Sequence, residues 1–313
     1  MIYTCTLNPA IDLFVATKDF QPDKVNRTFD EDYQANGKGI NVSIILKKLG
    51  VDSTALGFIA GFTGTYINDE LKKLDIETEF VEIDGITRVN IFVHNIDQEY
   101  KIVNRGPKVE KKSILQMLQK IKELPDQSML FVSGSLPQGV DESIYEEISK
   151  ISQQKDIDLV LDISSNKLLN CLPYHPYLIK PNKEELAQFY NKEELSDDEV
   201  VELGYDLLNK GARRVLVSLG EEGAIYIDES HLLKVSSVKG NVVNSACAGD
   251  TMLAMFIQKV QAGFTIEKAL IYASAAGAST AFSKGLSDLS DIDELVNKIH
   301  IDNLKGGIEN GSN

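Results

Sequence analysis

Short apolar runs alternate with longer stretches of helical spacing along most of the chain. Residues 2–7 form an apolar run closed by Asn8-Pro9, which predicts a first strand. Residues 38–49 place Ile40, Ile44, Ile45, Leu46 and Leu49 at helical intervals, with Gly37 and Gly39 at the start and Gly50 as a stop. Residues 53–59 predict a strand, 61–64 a turn and 66–74 a helix. From about residue 110 the alternation is strict. Helices are expected at 112–124, 143–154, 183–189 and 197–209, and strands at 129–133, 158–163, 177–180 and 214–219. A hairpin-like pair at 223–227 and 232–234 follows, then long helices at 248–261 and 266–283 and a small one at 291–299.

This rhythm predicts an α/β fold with a mostly parallel central sheet covered on both faces. Two β-rich stretches, 11–35 and 79–105, interrupt it. The second holds strand-like runs at 80–81, 89–94 and 100–103 and a turn at Asp97-Gln98. Ligands of open α/β sheets lie outside the carboxyl ends of the strands, so a small sheet there would act as a lid. The expected organisation is one domain over 1–305, with its β lid drawn from about 11–35 and 79–105. The Gly-, Asn- and Ser-bearing segment 306–313 is expected to be a disordered tail.

Composition narrows the class. The chain has 313 residues, 43% hydrophobic and 25% charged, with a net charge of −15. That excess of acid argues against polyanionic partners, so neither nucleic acid nor a membrane surface is expected. No apolar run approaches the roughly 20 residues needed to span a bilayer. The start of the chain lacks a basic leader, and Cys5, Cys171 and Cys247 form no paired or metal-binding spacing. The expected compartment is the cytoplasm.

Five segments carry candidate chemistry. Asn244-Ser-Ala-Cys-Ala-Gly-Asp-Thr251 sets small residues before a long helix, with Asp250 at its start. Backbone N–H groups and the helix dipole would favour an anion there, and Asp250 could take a proton; a simple helix cap is the plainer account. Asn36-Gly-Lys-Gly-Ile-Asn-Val42 brings backbone and one cation close together, without the spacing of a Walker loop. Asp12 follows the first strand, where it could accept sugar hydroxyls or merely close a turn. Lys180-Pro-Asn-Lys-Glu-Glu-Leu186 reads as a capping box from Asn182 to Glu185, or as a pair orienting a hydrated Mg²⁺. Ser218, Gly220 and Gly223 suit a phosphate tail or a plain hairpin turn. Arg88 lies in the lid region, and a phosphate would pair it if it were buried.

These segments, in this order, resemble the ribokinase/PfkB family of sugar kinases over about residues 1–300, in its phosphosugar branch. The resemblance implies a ribokinase-like three-layer α/β/α sandwich and ATP- and Mg²⁺-dependent phosphoryl transfer to a sugar hydroxyl. It implies that Asp12, Gly37, Gly39 and Asn41 hold the sugar, with Lys38, Arg88 and Asn90 near its phosphate and Ser135 in a small loop beside it. It gives Lys180, Asn182, Ser218, Gly220, Gly223, Ala273, Ala276 and Ser283 to the nucleotide, and Asn182 and Glu185 to the metal through water. It also gives Cys247, Ala248 and Gly249 to the anion hole and implies that Asp250 is the base.

Three departures stand out: Asn36 and Cys247 occupy positions where the family usually has glycine, and Met255 one where it usually has a small residue. A cysteine there is tolerated if its φ is negative, and strains the anion hole if its φ is positive. The expected substrate is fructose 1-phosphate, giving fructose 1,6-bisphosphate, with tagatose 6-phosphate as the alternative. The partners implied are ATP and a sugar phosphate, with a possible homodimer through the lid. Two other readings stand beside it: a nucleotide- or sugar-binding regulator that has lost catalysis, supported by Cys247, and a dinucleotide oxidoreductase, weakened by the absence of GxGxxG after the first strand.

Overall fold

The computed structural model describes residues 1–95 and 98–305. The chain begins with β1 (Ile2–Thr6), β2 (Ala10–Thr17), β3 (Thr28–Asn36), α1 (Lys38–Lys48), β4 (Ser53–Ile59) and α2 (Gly61–Lys73). The short strands β5 (Glu77–Thr78) and β6 (Val81–Glu82) precede β7 (Arg88–Asn95) and β8 (Gln98–Ile102). The regular alternation follows: α3 (Lys111–Glu123), β9 (Met129–Ser133), α4 (Ser143–Gln154), β10 (Asp158–Asp162), α5 (Leu168–Cys171), β11 (Leu178–Ile179), α6 (Lys183–Phe189), α7 (Asp197–Asn209) and β12 (Val215–Ser218). The chain then runs through β13 (Ala224–Ile227), β14 (Leu232–Val235), α8 (Ala248–Gln261), α9 (Ile266–Ala281), α10 (Ile292–Leu295) and β15 (Ile301–Asn303).

The large sheet has the order β15-β14-β13-β12-β11-β10-β9-β1-β4-β5, with β6 also on β4. It is parallel from β5 and β6 to β12, and antiparallel through β13, β14 and β15. Strand side chains alternate between its two faces, as the pleat requires. On one face Tyr3, Cys5, Leu130, Val132, Leu159 and Leu161 pack with residues of α3, α4, α6 and α7. On the other, Ile2, Met129, Phe131 and Val160 pack with α1, α8, α9 and α10. Near-continuous apolar strands therefore found helices on both sides, and the expected α/β/α architecture is what forms.

The second sheet is separate, in the order β3-β2-β7-β8, with β2 and β7 parallel. It is smaller than the spacing of β-rich segments suggests. The run near residue 80 joins the large sheet, because β5 and β6 pair with β4. The expected turn at 61–64 is instead the first turn of α2. Gly64 donates to the Ala60 carbonyl, and its missing side chain lets the helix sit against Ile59, where a Cβ would lie 2.9 Å from the Ile59 Cβ. The helix expected at 291–299 is α10 followed by a 3-10 turn over Val296–Lys298. Residues 306–313, and Asp97 of the expected Asp97-Gln98 turn, lie outside the described residues.

Candidate active site

A cleft of about 830 Å³ opens where the carboxyl ends of β11 and β12 meet the start of α8 and the edge of the small sheet. It is lined by Asp12, Lys38, Asn41, Lys180, Asn182, Glu185, Ser218, Gly220, Gly223 and the run from Cys247 to Asp250. Motifs up to 238 positions apart in sequence thus share one cavity, at the place an open α/β sheet offers a ligand.

At its centre lies Asp250, 5% exposed, in the first turn of α8. Burial pushes its carboxyl up to about 6, and the Asp162 carboxylate adds to the rise; Lys38, Asn41 and Lys180 oppose it. Asn41 Nδ2 donates to Asp250 Oδ2 at 2.8 Å. Asp162, at the end of β10, is ion-paired with Lys38 at 2.7 Å and with Lys180 at 3.1 Å. Burial opposes its charge, but the two ammonium groups hold its carboxyl below the usual range. Burial alone would likewise lower the Lys38 ammonium, yet Asp162, Glu185 and Asp250 together raise it. Lys180 is 4% exposed and rests against Gly249, where a Cβ would stand 3.2 Å from its Nζ. Glycine at 249 therefore lets a buried cation approach the helix start.

Cys247 caps α8 with φ 65° and ψ −5°. This is the strained branch of the expectation: a β-carbon-bearing residue in the left-handed region, which costs about 1–2 kcal/mol for most residues. Burial pushes its thiol up to about 12, so the sulfur is a neutral wall of the cleft. At the start of α8 the Ala248 N–H donates to the Ser245 carbonyl at 3.4 Å, while those of Gly249 and Asp250 have no acceptor within the helix and are placed to bind anionic oxygen.

On the small-sheet side, both oxygens of Asp12 are held: Oδ1 accepts from Asn90 and Oδ2 from Asn36, each at 2.8 Å. Burial raises its carboxyl, against the Asn90 bond and the Arg88 charge. Gly37, at φ 143°, passes so close to Thr6 that a Cβ would lie 2.5 Å from its methyl carbon. Thr6 Oγ1 accepts from Ile40 N–H at 3.1 Å, and a Cβ on Gly39 would stand 2.7 Å from that oxygen. The glycines thus bring the start of α1 against β1 and aim Asn41 inward. Arg88 is half-buried, donates to the Asn8 carbonyl at 2.8 Å and leaves its Nε buried without a partner. Ser135 Oγ is 3.5 Å from Asn8 Nδ2, on the same side as Arg88.

Several placements differ from expectation. Lys38 was expected, with Arg88, near the substrate phosphate; its ammonium is ion-paired with Asp162 at 2.7 Å and lies 3.9 Å from Glu185. Ala273 and Ala276 are packed into the core, while Ser274, Gly277, Ala278 and Ala281 face the cleft. Ser283 turns back to bond the Ser279 carbonyl, and Phe282 with Val238 and Val242 supplies the apolar wall. Sequence reasoning missed Asp162, whose signal was an acid at the end of an apolar strand.

Asn182 and Glu185 form the capping box reciprocally: Asn182 Oδ1 accepts Glu185 N–H at 2.6 Å, and Glu185 Oε2 accepts Asn182 N–H at 2.9 Å. Asn182 also bridges to Ser218 of β12. Among the described residues no cluster of three or more His, Cys, Asp or Glu could hold a metal. One carboxylate, Glu185, beside the cleft fits a hydrated Mg²⁺ whose remaining ligands are water and phosphate oxygens.

An α/β body with a buried acid at a helix start and cations beside it fits an enzyme of phosphoryl transfer. Residues 5–293 match the pfkB family carbohydrate kinases, and the chain belongs to that family. Over 305 residues it is 52% identical to D-tagatose-1-phosphate kinase of Bacillus licheniformis, covering 97% of this chain and 100% of that one. It is 35% identical to 1-phosphofructokinase of Borreliella burgdorferi, covering 97% and 99%. The solved tetrameric inhibited form of Escherichia coli phosphofructokinase-2 superposes with a TM-score of 0.88 at 28% identity, covering 95% and 98%.

Proposed function

We propose that the protein transfers the γ-phosphoryl group of ATP to the C6 hydroxyl of a ketohexose 1-phosphate, giving a 1,6-bisphosphate and ADP. The observation that carries this reading is Asp250, buried at the start of α8 and flanked by Lys180. The sugar oxygen attacks the γ-phosphorus, its proton passes to an Asp250 carboxylate oxygen, and the bond to the β,γ-bridging oxygen breaks. Lys180 and the N–H groups of residues 247–250 face the charge that develops on the transferred group. Asp12 accepts sugar hydroxyls, and Arg88, with its unpartnered Nε, binds the phosphate already present. Ser218, Gly220 and Gly223 serve the ATP phosphates, and the Phe282 wall the base. Asn182 and Glu185 would hold Mg²⁺ through water, and its chemistry is neutralisation of ATP oxygens.

Fructose 1-phosphate and tagatose 1-phosphate are epimers at C4 and share the C1 phosphate and free C6 hydroxyl. The relative at 52% identity is named for tagatose 1-phosphate, which favours that sugar over tagatose 6-phosphate. A coupled ADP-release assay across the two 1-phosphates, tagatose 6-phosphate, fructose 6-phosphate and ribose tests the reading. The 1-phosphates should show the highest kcat/KM; ribose or a 6-phosphate turning over fastest would overturn it. ATP binding without transfer to any sugar would instead favour the regulator. The small sheet is proposed as the lid. It exposes Phe29, Tyr33 and Ile102, which suits a homodimer, checked by solution mass.

A further inference from the structure

We propose that Asn36 is a positioning residue: it fixes the Asn41 side-chain amide with its NH₂ group toward Asp250, and links that base to Asp12. The inference rests on the assignment of Asp250 as the base.

Asn36 ends β3 and turns its side chain into the cleft. Its Oδ1 accepts the N–H of Gly37, which fixes which way the amide faces. The Nδ2 must then point the other way, where it donates to Asp12 Oδ2 at 2.8 Å. The same Oδ1 accepts from Asn41 Nδ2 at 3.0 Å. Asn41 Nδ2 has two hydrogens, and the second goes to Asp250 Oδ2 at 2.8 Å. Cys247 Sγ stands 3.2 Å from the same nitrogen, as a weak additional acceptor.

The direction of this chain follows from donor and acceptor counts. A flipped Asn41 amide would set its own oxygen against two acceptors, Asn36 Oδ1 and the Asp250 carboxylate. Asn36 Oδ1 therefore opposes the flip together with the ionised Asp250, and is the group that still opposes it when Asp250 is protonated. Without it, a flipped Asn41 would face Asp250 with an oxygen, which suits only the protonated acid and would disable the base. The other groups facing Asp250 do not decide this. Asp162 from β10 disfavours its charge, and Lys38 from α1 and Lys180 beyond β11 favour it. The Cys247 thiol on its own helix is neutral. A glycine at position 36 would leave both Asp12 Oδ2 and the Asn41 amide without this partner.

The test is a double-mutant cycle with Asn36→Ala and Asn41→Ala, measuring kcat, KM for each substrate and the acid limb of the pH profile. A hydrogen bond to a charged group supports about a tenfold loss of kcat in each single variant. If Asn36 acts through Asn41, adding Asn36→Ala to Asn41→Ala changes kcat by less than about twofold. The acid limb of Asn36→Ala should also move to higher pH than in the parent, with KM for ATP unchanged. Additive losses in kcat, or a loss confined to sugar KM with the acid limb in place, would overturn the proposal. Where thermal melting shows Asn36→Ala to be unfolded, Asn36→Gly enters the same cycle with the same two outcomes. Asp250→Asn serves as reference: if it keeps turnover, the base assignment fails; if it is inactive and the cycle is additive, only the positioning role fails.

Discussion

At the small-sheet end of the cleft, Asp12, Asn36, Asn41 and Asn90 hold one another through side-chain hydrogen bonds of 2.8–3.0 Å. At the opposite end the lining is a turn with Gly220 and Gly223, small residues of α9 and an apolar wall of Val238, Val242 and Phe282. One end thus offers buried side-chain donors and acceptors, and the other a glycine turn carrying Glu221 and Glu222, and an apolar wall. The difference suits the two proposed ligands. Hydroxyl configuration has to be read atom by atom, because a missing hydroxyl leaves a buried polar group unpaired. A nucleotide tail needs N–H groups and room.

The contrast makes unequal demands on mutation. Asp12→Ala should lower kcat/KM for the sugar about 100-fold with little change in KM for ATP, read by steady-state kinetics. Equal losses toward both substrates would erase the division between the two ends. Gly223→Ala should act through the fold. Its φ is 103° and a Cβ would lie 1.9 Å from the Val235 carbonyl oxygen, so a destabilisation of about 2–3 kcal/mol is expected in chemical denaturation. An alanine tolerated there would show that the turn moves freely.

Charge at the junction of the two ends gives a pH dependence. Burial pushes the Asp250 carboxyl up to about 6, above the ordinary aspartate range. The folded state then binds the proton more tightly, so ionising this group costs stability as pH rises from about 4 to about 6. Asp250→Asn should melt later than the parent above pH 6, by on the order of 2 kcal/mol, and that advantage should vanish toward pH 4. An advantage independent of pH would mean that burial does not penalise this carboxylate. The smallest effect is expected at Cys247. Cys247→Gly should relieve the left-handed strain and stabilise the chain by about 1 kcal/mol, with turnover retained or raised. A loss of turnover would give the Cys247 side chain a role in the site.

The same contrast explains what could be read from the sequence. The strand and helix rhythm beyond residue 110 was legible because strands such as β9 and β10 carry short apolar runs, Met129–Val132 and Leu159–Leu161, and their helices are amphipathic. Asn36 and Cys247 stood out because they replace glycine inside a resemblance, and both prove to lie in the cleft. The cleft face of α9 was not legible. Its run Ala273-Ser-Ala-Ala-Gly-Ala278 is small on every side, so no apolar stripe distinguishes core from cleft. Asp162 was hidden for a related reason: one acid among 47 acidic residues becomes exceptional only when the fold buries it between two lysines. Likewise the run near residue 80 looks like a lid strand, and only pairing with β4 assigns it to the large sheet.

The central claim is that Asp250 is the base on which both ends of the cleft converge. Asp250→Asn keeps size and shape and replaces the charged proton acceptor with a neutral amide. Titration calorimetry should show Mg-ATP and sugar 1-phosphate binding within a few-fold of the parent, while kcat in the ADP-release assay falls about 10²- to 10⁴-fold. Turnover within a few-fold of the parent, in a variant that binds both ligands, would contradict the account.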